Sequence, residues 1–384
     1  MFSGCSISMS TVSKADMVRS QEKQEQRPVL ITGANSGIGL ELARHYASLG
    51  KPLILLARNT ERLMQAVKEL TKLNPIYKDK PDLITTISLD VSDADAVDTL
   101  LAKVLQARGI PELLINAAGV VNVGRFTEMD RDYFDANLRI DFDGTVNVCR
   151  VVAPLMADIG SGHIVNIASV AGYMGIYGYT GYSGAKFAVM GFTEALRFEM
   201  RPLGVDVSVV CPPDTKTPGL ETERAARPVE TEAIAGSIKA LCPQHVARKI
   251  VKGIDAKRYF IIIGASSKFY FRLKGLWPEI YFAIVDGEIR KAQKSKMPRI
   301  SKSVAHISVL PASLTLPTLP KMGHQQNSIL HDILAPSACL PEHIALNRGG
   351  LNTTSAARVS CTDLSSGASA SLKGRADLTP RAAG

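Results

Sequence analysis

The segment "YSGAK" places Tyr182 and Lys186 four residues apart, a spacing that puts two side chains on one face of a helix. An unperturbed tyrosine has a pKa of about 10, too high for easy proton exchange at neutral pH. A neighbouring ammonium favours the phenolate, so Lys186 is expected to lower the Tyr182 value. Thirteen residues before Tyr182, the apolar run "IVNIAS" ends at Ser169. A hydroxyl there can orient a carbonyl oxygen while Tyr182 donates a proton to it. The catalytic candidates are therefore Ser169, Tyr182 and Lys186. A chance Tyr–Lys pair on a helix is common, so the pair gains meaning only from what precedes it.

What precedes it is "TGANSGIG", Thr32–Gly39, set between an apolar run and a helical one. Glycines at such a turn let the backbone approach a pyrophosphate, which then rests at the positive N-terminus of the helix. Gly33, Asn35, Ser36, Gly37, Ile38 and Gly39 are the candidate phosphate contacts. A dinucleotide-binding fold that takes NAD carries an acidic residue about 20 positions on, where it holds the ribose hydroxyls. Here the second strand ends "LLARNT", and Arg58 stands nineteen positions after Gly39. A guanidinium stacks on adenine and binds a 2′-phosphate, so the expected cofactor is NADP(H). Asp90 and Val91 follow the third strand and can meet the adenine edge. "NAAG", with Asn116, Ala117 and Gly119, follows the fourth and lets small residues pass under the cofactor. Lys186, besides acting on Tyr182, can reach the ribose hydroxyls.

These residues need a frame. From residue 28 short apolar runs alternate with helical periodicity: "PVLIT", "PLILLA", "LITTISLDV", "ELLINAAG", "HIVNIAS", "VDVSVVC" and "YFIII" read as strands. Strands that alternate with helices imply a parallel sheet covered on both faces, and "LILLA" is apolar throughout, as such strands are. The expected fold class is α/β, a doubly wound parallel sheet of Rossmann type in one catalytic domain, with a disordered C-terminal tail. The expected organisation is a flexible segment over 1–26, a reductase domain over 27–263 with a substrate loop at 212–242, a C-terminal segment over 264–298 and a mostly disordered tail over 299–384. Thr60 is expected to cap the helix after the second strand.

The chain has 384 residues, with 46% hydrophobic and 6% aromatic residues and a formal net charge of +9. The basic residues are scattered, which argues against nucleic-acid binding and leaves docking on an anionic membrane surface open. Six cysteines lie far apart without metal-ligand spacing, as expected of reduced thiols in an intracellular protein. Residues 1–26 lack the apolar core of a secretory signal. No window reaches the roughly 18 uncharged apolar residues of a membrane span.

"TGANSGIG", "NAAG", Ser169 and "YSGAK" together resemble the short-chain dehydrogenase/reductase superfamily over about residues 27–263. The resemblance implies catalytic roles for Ser169, Tyr182 and Lys186. It also implies an asparagine in an "N-x-x-G" run on the long helix, holding a relay water. Matched on Gly144, this chain reads "DFDG" and puts Asp141 there, while Asn137 lies one turn earlier in poorer register. Asp141 joins the catalytic candidates, and Asp141→Asn is expected to keep or raise turnover. The family also closes the loop after the sixth strand over the nicotinamide, which points to Pro212, Thr215 and Thr217 as cofactor contacts.

That loop, "CPPDTKTPGL", is similar to the 3-ketodihydrosphingosine reductase branch, as are "ARN" after the second strand and "CPQHVARKIVKGI" after the lid. The branch resemblance implies NADPH-dependent reduction of the 3-keto group of a long-chain sphingoid base at the cytosolic face of the endoplasmic reticulum. Two alternatives stand beside it: reduction of another lipid-like carbonyl (steroid, retinoid or 3-oxoacyl), and a non-catalytic NADP-binding regulatory protein. "SKFYFRLKGLWPEIYFAIV" mixes aromatic, aliphatic and basic residues like an interfacial segment. It reads equally as a core helix or as packing for a homodimer.

Overall fold

In the computed structural model, residues 27–235 and 240–296 are described. Seven parallel strands form one sheet in the order β3-β2-β1-β4-β5-β6-β7. They are β1 Val29–Thr32, β2 Leu53–Ala57, β3 Ile84–Ser88, β4 Leu113–Asn116, β5 Gly162–Ile167, β6 Val205–Cys211 and β7 Phe260–Ile262. The doubly wound sheet expected from the alternation is therefore present. The disordered-tail expectation, like the 1–26 segment, falls outside the described residues.

Side chains alternate across each strand, and the two faces feed two separate cores. Val29 and Ile31 of β1, with Leu53 and Leu55 of β2, pack under α1 (Gly37–Ser48), α2 (Thr60–Leu73) and the later helix Pro243–Asp255. Leu30, Ile54 and Leu56 point the other way, against the helix over 94–108 (α3) and the long helix over 131–158 (α4). Strands covered on both faces must be apolar at every position, and all of β1 and β2 is buried.

Strand order reverses between β1 and β4, so the connections from these two strands part to opposite sides of the sheet. The crevice at their carboxyl ends is where open α/β sheets bind ligands. Two local features shape it. The middle of α4, Leu138–Asp143, is wound as a π-helix, the kind of bulge that re-aims side chains at functional sites. The N-cap of α2 is Asn59, not Thr60: the Asn59 side chain accepts the Arg62 N–H at 2.7 Å. Asparagine accepts this bond as well as threonine does, and the cap falls one residue earlier than expected.

After β5 comes α5 (Thr180–Met200). After β6, the loop leads into the lid helices α6 (Pro218–Ala226) and α7 (Val229–Ala235). Pro243–Asp255 is α8. The C-terminal segment forms a helical hairpin, α9 (Ala265–Leu276) and α10 (Pro278–Lys296). α10 packs on α7 and α9.

Candidate active site

The carboxyl ends of the strands open into a cavity of about 790 Å³. Every site residue expected from the sequence lines it, with one exception. Asn116 turns away: its Nδ2 donates to Asn166 Oδ1 at 2.9 Å inside the protein. As the last residue of β4, it alternates to the buried side of the strand, and its side chain does not reach the cavity.

The glycine turn is required by contact rather than by composition. Gly33 has φ of +67°, and a Cβ there would stand 2.8 Å from the Ala117 carbonyl oxygen and the Ala118 nitrogen. A Cβ on Gly39 would stand 2.4 Å from the Gly33 carbonyl oxygen. The Thr32 hydroxyl accepts the N–H groups of Ala117 and Ala118, both at 3.0 Å, tying the loops after β1 and β4 together. The cradle that a phosphate backbone would occupy is thus kept clear of side chains, so the residues fit a dinucleotide.

At the outer end, Arg58 is 58% exposed, and its Nη1 lies 3.6 Å from Asp90 Oδ2. The other Asp90 oxygen accepts from Ser92 N–H and hydroxyl at 2.9 and 2.8 Å. These bonds and the Arg58 charge hold the Asp90 carboxyl below its usual range despite the cost of burial. A second cation, Arg62 on α2, also lines this end. It lies four residues beyond Arg58, and only the helical turn brings it back to the cavity.

At the inner end, Tyr182 is 9% exposed. Lys186 Nζ donates to the Ile167 carbonyl at 3.1 Å and sits 5.7 Å from the Tyr182 ring centre. The π-winding of α4 delivers Asp141 to the same point. Its Oδ1 accepts the Val120 N–H at 2.7 Å, and its Oδ2 lies 3.3 Å from Lys186 Nζ. That contact is an ion pair without the alignment of a good hydrogen bond, and Oδ2 has no other partner. Asn137, one turn earlier, instead accepts the Asn122 N–H at 3.0 Å and stays out of the cavity.

One expectation fails here. Lys186 was expected to lower the Tyr182 pKa, but the Tyr182 hydroxyl is pushed up. Burial is the largest cause, followed by the Asp141 carboxylate. Hydrogen bonding with Ser169 works in the other direction. Lys186 faces the Asp141 carboxylate at 3.3 Å, a contact that the spacing within "YSGAK" could not show. Burial likewise raises the Asp141 carboxyl, against the pull of Lys186 and of the Val120 N–H. Ser169 caps the short turn after β5, accepting the Ala171 N–H at 3.1 Å.

The loop after β6 closes the cavity from above. Thr217 Cγ2 lies 3.1 Å from where a Gly37 Cβ would be, so the lid touches the glycine turn. The threonine hydroxyls expected to contact the cofactor have local partners: Thr215 donates to the Pro213 carbonyl at 2.8 Å and Thr217 accepts the Leu220 N–H at 3.3 Å. Sequence reasoning missed the latch beneath this loop. Arg227, the C-cap of α6, donates to Asp214 at 2.7 Å and to Glu223, which also accepts from the Tyr179 hydroxyl. Burial pushes the Glu223 carboxyl up, opposed by Tyr179 and Arg227. The i,i+4 spacing of Glu223 and Arg227 was a signal for part of it. The C-terminal hairpin was also unforeseen as a wall: Tyr270, Tyr281, Ile284 and Val285 line the cavity.

The chain can be compared with known proteins. The family model "short chain dehydrogenase" matches residues 27–228. A 3-ketodihydrosphingosine reductase of Mus musculus is 37% identical over 225 residues, 58% of this chain and 67% of that protein. One of Dictyostelium discoideum is 33% identical over 285 residues, 69% of this chain and 82% of that protein. A short-chain dehydrogenase/reductase from Burkholderia phymatum, solved in complex with NAD, superposes with a TM-score of 0.58 at 27% identity, covering 67% of this chain and 95% of that one. The chain belongs to the short-chain dehydrogenase family, resembling within it the 3-ketodihydrosphingosine reductases, and is an oxidoreductase acting on a keto or hydroxyl group with a nicotinamide cofactor.

Proposed function

We propose that this protein reduces the 3-keto group of 3-ketosphinganine with NADPH. The observation that carries the reading is the convergence of Ser169, Tyr182 and Lys186 at one end of a cavity that Tyr270, Tyr281, Ile284 and Val285 of the C-terminal hairpin also line. The relatives named for this reaction support the substrate class. Arg58 and Arg62, with no acid in the place of Arg58, support NADPH over NADH.

Bound nicotinamide cofactor supplies the hydride to the carbonyl carbon. The chain's own groups do the rest. Ser169 donates to the carbonyl oxygen and orients it. Tyr182 Oη gives that oxygen its proton, and the phenolate left behind regains a proton from solvent. Lys186, its ammonium paired with Asp141, reaches toward the ribose. The stiff prolines Pro212, Pro213 and Pro218 hold the lid, and its closure excludes water.

A lipid ketone must reach this cavity from a membrane. α9 and α10 expose Phe269, Leu276, Trp277, Ile280 and Phe282 beside exposed Lys268, Arg272 and Lys291. Aromatic and aliphatic groups flanked by bases suit an interfacial face. Among the described residues no helix is long and apolar enough to cross a membrane. We place the protein on the cytosolic face of the endoplasmic reticulum, docked through this hairpin.

The experiment is NADPH oxidation by purified protein with 3-ketosphinganine, short-chain ketones and steroid, retinoid and 3-oxoacyl substrates. Turnover concentrated on 3-ketosphinganine, and abolished by Tyr182→Phe, is expected. Faster turnover of another carbonyl class would replace the substrate, and equal residual turnover by Tyr182→Phe would remove Tyr182 as the donor.

A further inference from the structure

We propose that Asp141 is a positioning residue: it holds the Lys186 ammonium in a buried ion pair and so withholds that charge from the neighbouring Tyr182 hydroxyl. The inference rests on the reading of Tyr182 as proton donor.

Asp141 is fully buried. One of its oxygens is fixed by the Val120 N–H, and the other faces Lys186 Nζ at 3.3 Å with no other partner. Lys186 is itself held by the Ile167 carbonyl. The π-winding at Leu138–Asp143 is what brings a residue of α4 to this point. Space is confined: a Cβ on Gly119 would lie 3.0 Å from Asp141 Oδ1. A carboxylate so placed offsets the ammonium whose field would otherwise favour the phenolate.

The other groups around Tyr182 divide: the nearby carboxylates act in the same sense as Asp141, and Ser169 acts against it. From the β6 loop and α6 come Asp214 and Glu223, two carboxylates against the single guanidinium of Arg227. From the N-cap of α5 comes the Tyr179 ring, its centre 5.9 Å away. Ser169, from the end of β5, favours the ionised form by hydrogen bonding. Cys211 at the end of β6 is a buried thiol near Lys186, and burial keeps it protonated. Asp141 is the group whose loss leaves Lys186 charged and unpaired beside the phenol.

The consequence is a displaced pH profile. Ketone reduction needs the phenol and falls off above its pKa. Alcohol oxidation, for which a bound oxidised nicotinamide would accept the hydride, needs the phenolate to take the alcohol proton, so it rises toward the same pKa. Both limbs report one group and must move together.

The test uses Asp141→Asn, which keeps the acceptor for Val120, and Asp141→Ser, a smaller neutral side chain. Two readouts are taken. The first is tyrosinate absorbance of the cofactor-free protein against pH, as the difference from the matching Tyr182→Phe protein. The second is the pH profile of 3-ketosphinganine reduction and sphinganine oxidation. In both variants the Tyr182 titration is expected to move toward neutral by about one pH unit or more, the scale on which a neighbouring charge acts. The alkaline limb of reduction and the acid limb of oxidation are expected to move down with it. Titration and limbs that coincide with wild type, or shift upward, or fail to appear in either protein below alkaline unfolding, overturn the proposal. A shifted titration in a protein that turns over neither lipid would sink the substrate reading and leave this one standing.

Discussion

Replacing Arg58 by alanine tests cofactor choice most directly. The guanidinium is 58% exposed and loosely paired with Asp90 at 3.6 Å, so most of its charge is free for a 2′-phosphate. A charge-assisted hydrogen bond contributes about 1.5–3 kcal/mol. At this exposure the lower end applies, about 1.5 kcal/mol, since solvent screens the contact. Removing Arg58 also leaves Asp90 facing the phosphate, and like charges in water-like surroundings add about 0.5–1 kcal/mol of repulsion. Together they weaken NADPH binding by about 2 kcal/mol, roughly thirtyfold. NADH has no 2′-phosphate, so its affinity should change by no more than about threefold, the loss of a surface stacking contact. Cofactor fluorescence titration of both proteins with both nucleotides measures this. The wild-type preference should also shrink with added salt, because exposed charges are screened beyond about 8 Å at physiological ionic strength. Equal losses for NADPH and NADH, or a wild-type preference for NADH, would refute the reasoning and with it the NADPH assignment.

Three further outcomes follow from the geometry. Gly39→Ala puts a Cβ 2.4 Å from the Gly33 carbonyl, a backbone clash that must open the cradle; cofactor affinity should fall at least tenfold in the same titration, while the far-ultraviolet circular dichroism is retained. Arg227→Met leaves Glu223 and Asp214 without their shared cation, and stripping one member from a buried pair costs about 3–5 kcal/mol. The lid can relax outward, so the cost should appear as faster hydrogen exchange across 214–235 and a raised KM; unchanged exchange would count against the latch. Burial lowers the His163 pKa to about 4 from 6.5, so the unfolded chain binds the proton first as pH falls. Stability from this group is full above about pH 6.5 and is lost toward pH 4, by up to about 3 kcal/mol. Denaturant midpoints at pH 7 and pH 4.5 should therefore differ more in wild type than in His163→Gln, and parallel curves would contradict it.

The sheet was open to sequence reasoning because its strands are buried on both faces and so are written as unbroken apolar runs, and because each is followed by an amphipathic helix. The glycine turn, Ser169, Tyr182 and Lys186 were open for a related reason: each is tied to the end of a strand or the start of a helix at fixed spacing. Asn116 shows the limit of that logic. It sits in the right motif, but the alternation of side chains along β4 turns it into the interior.

The charge state of the site lies further out of reach of sequence. Lys186 is four residues from Tyr182 but 45 from Asp141, and only the packing of α4 against α5, with a π-turn in the first, pairs Lys186 with the distant carboxylate. The same holds for the lid latch and for the α9–α10 wall, where residues far apart in the chain meet. The sequence by itself determined the fold class, the glycine turn and the meeting of Ser169, Tyr182 and Lys186 at one cavity, because these depend on local periodicity and short fixed offsets. The tertiary structure alone decided which charges face one another in the interior. Those interactions depend on distance and burial, and a linear order of residues encodes neither until the chain is packed.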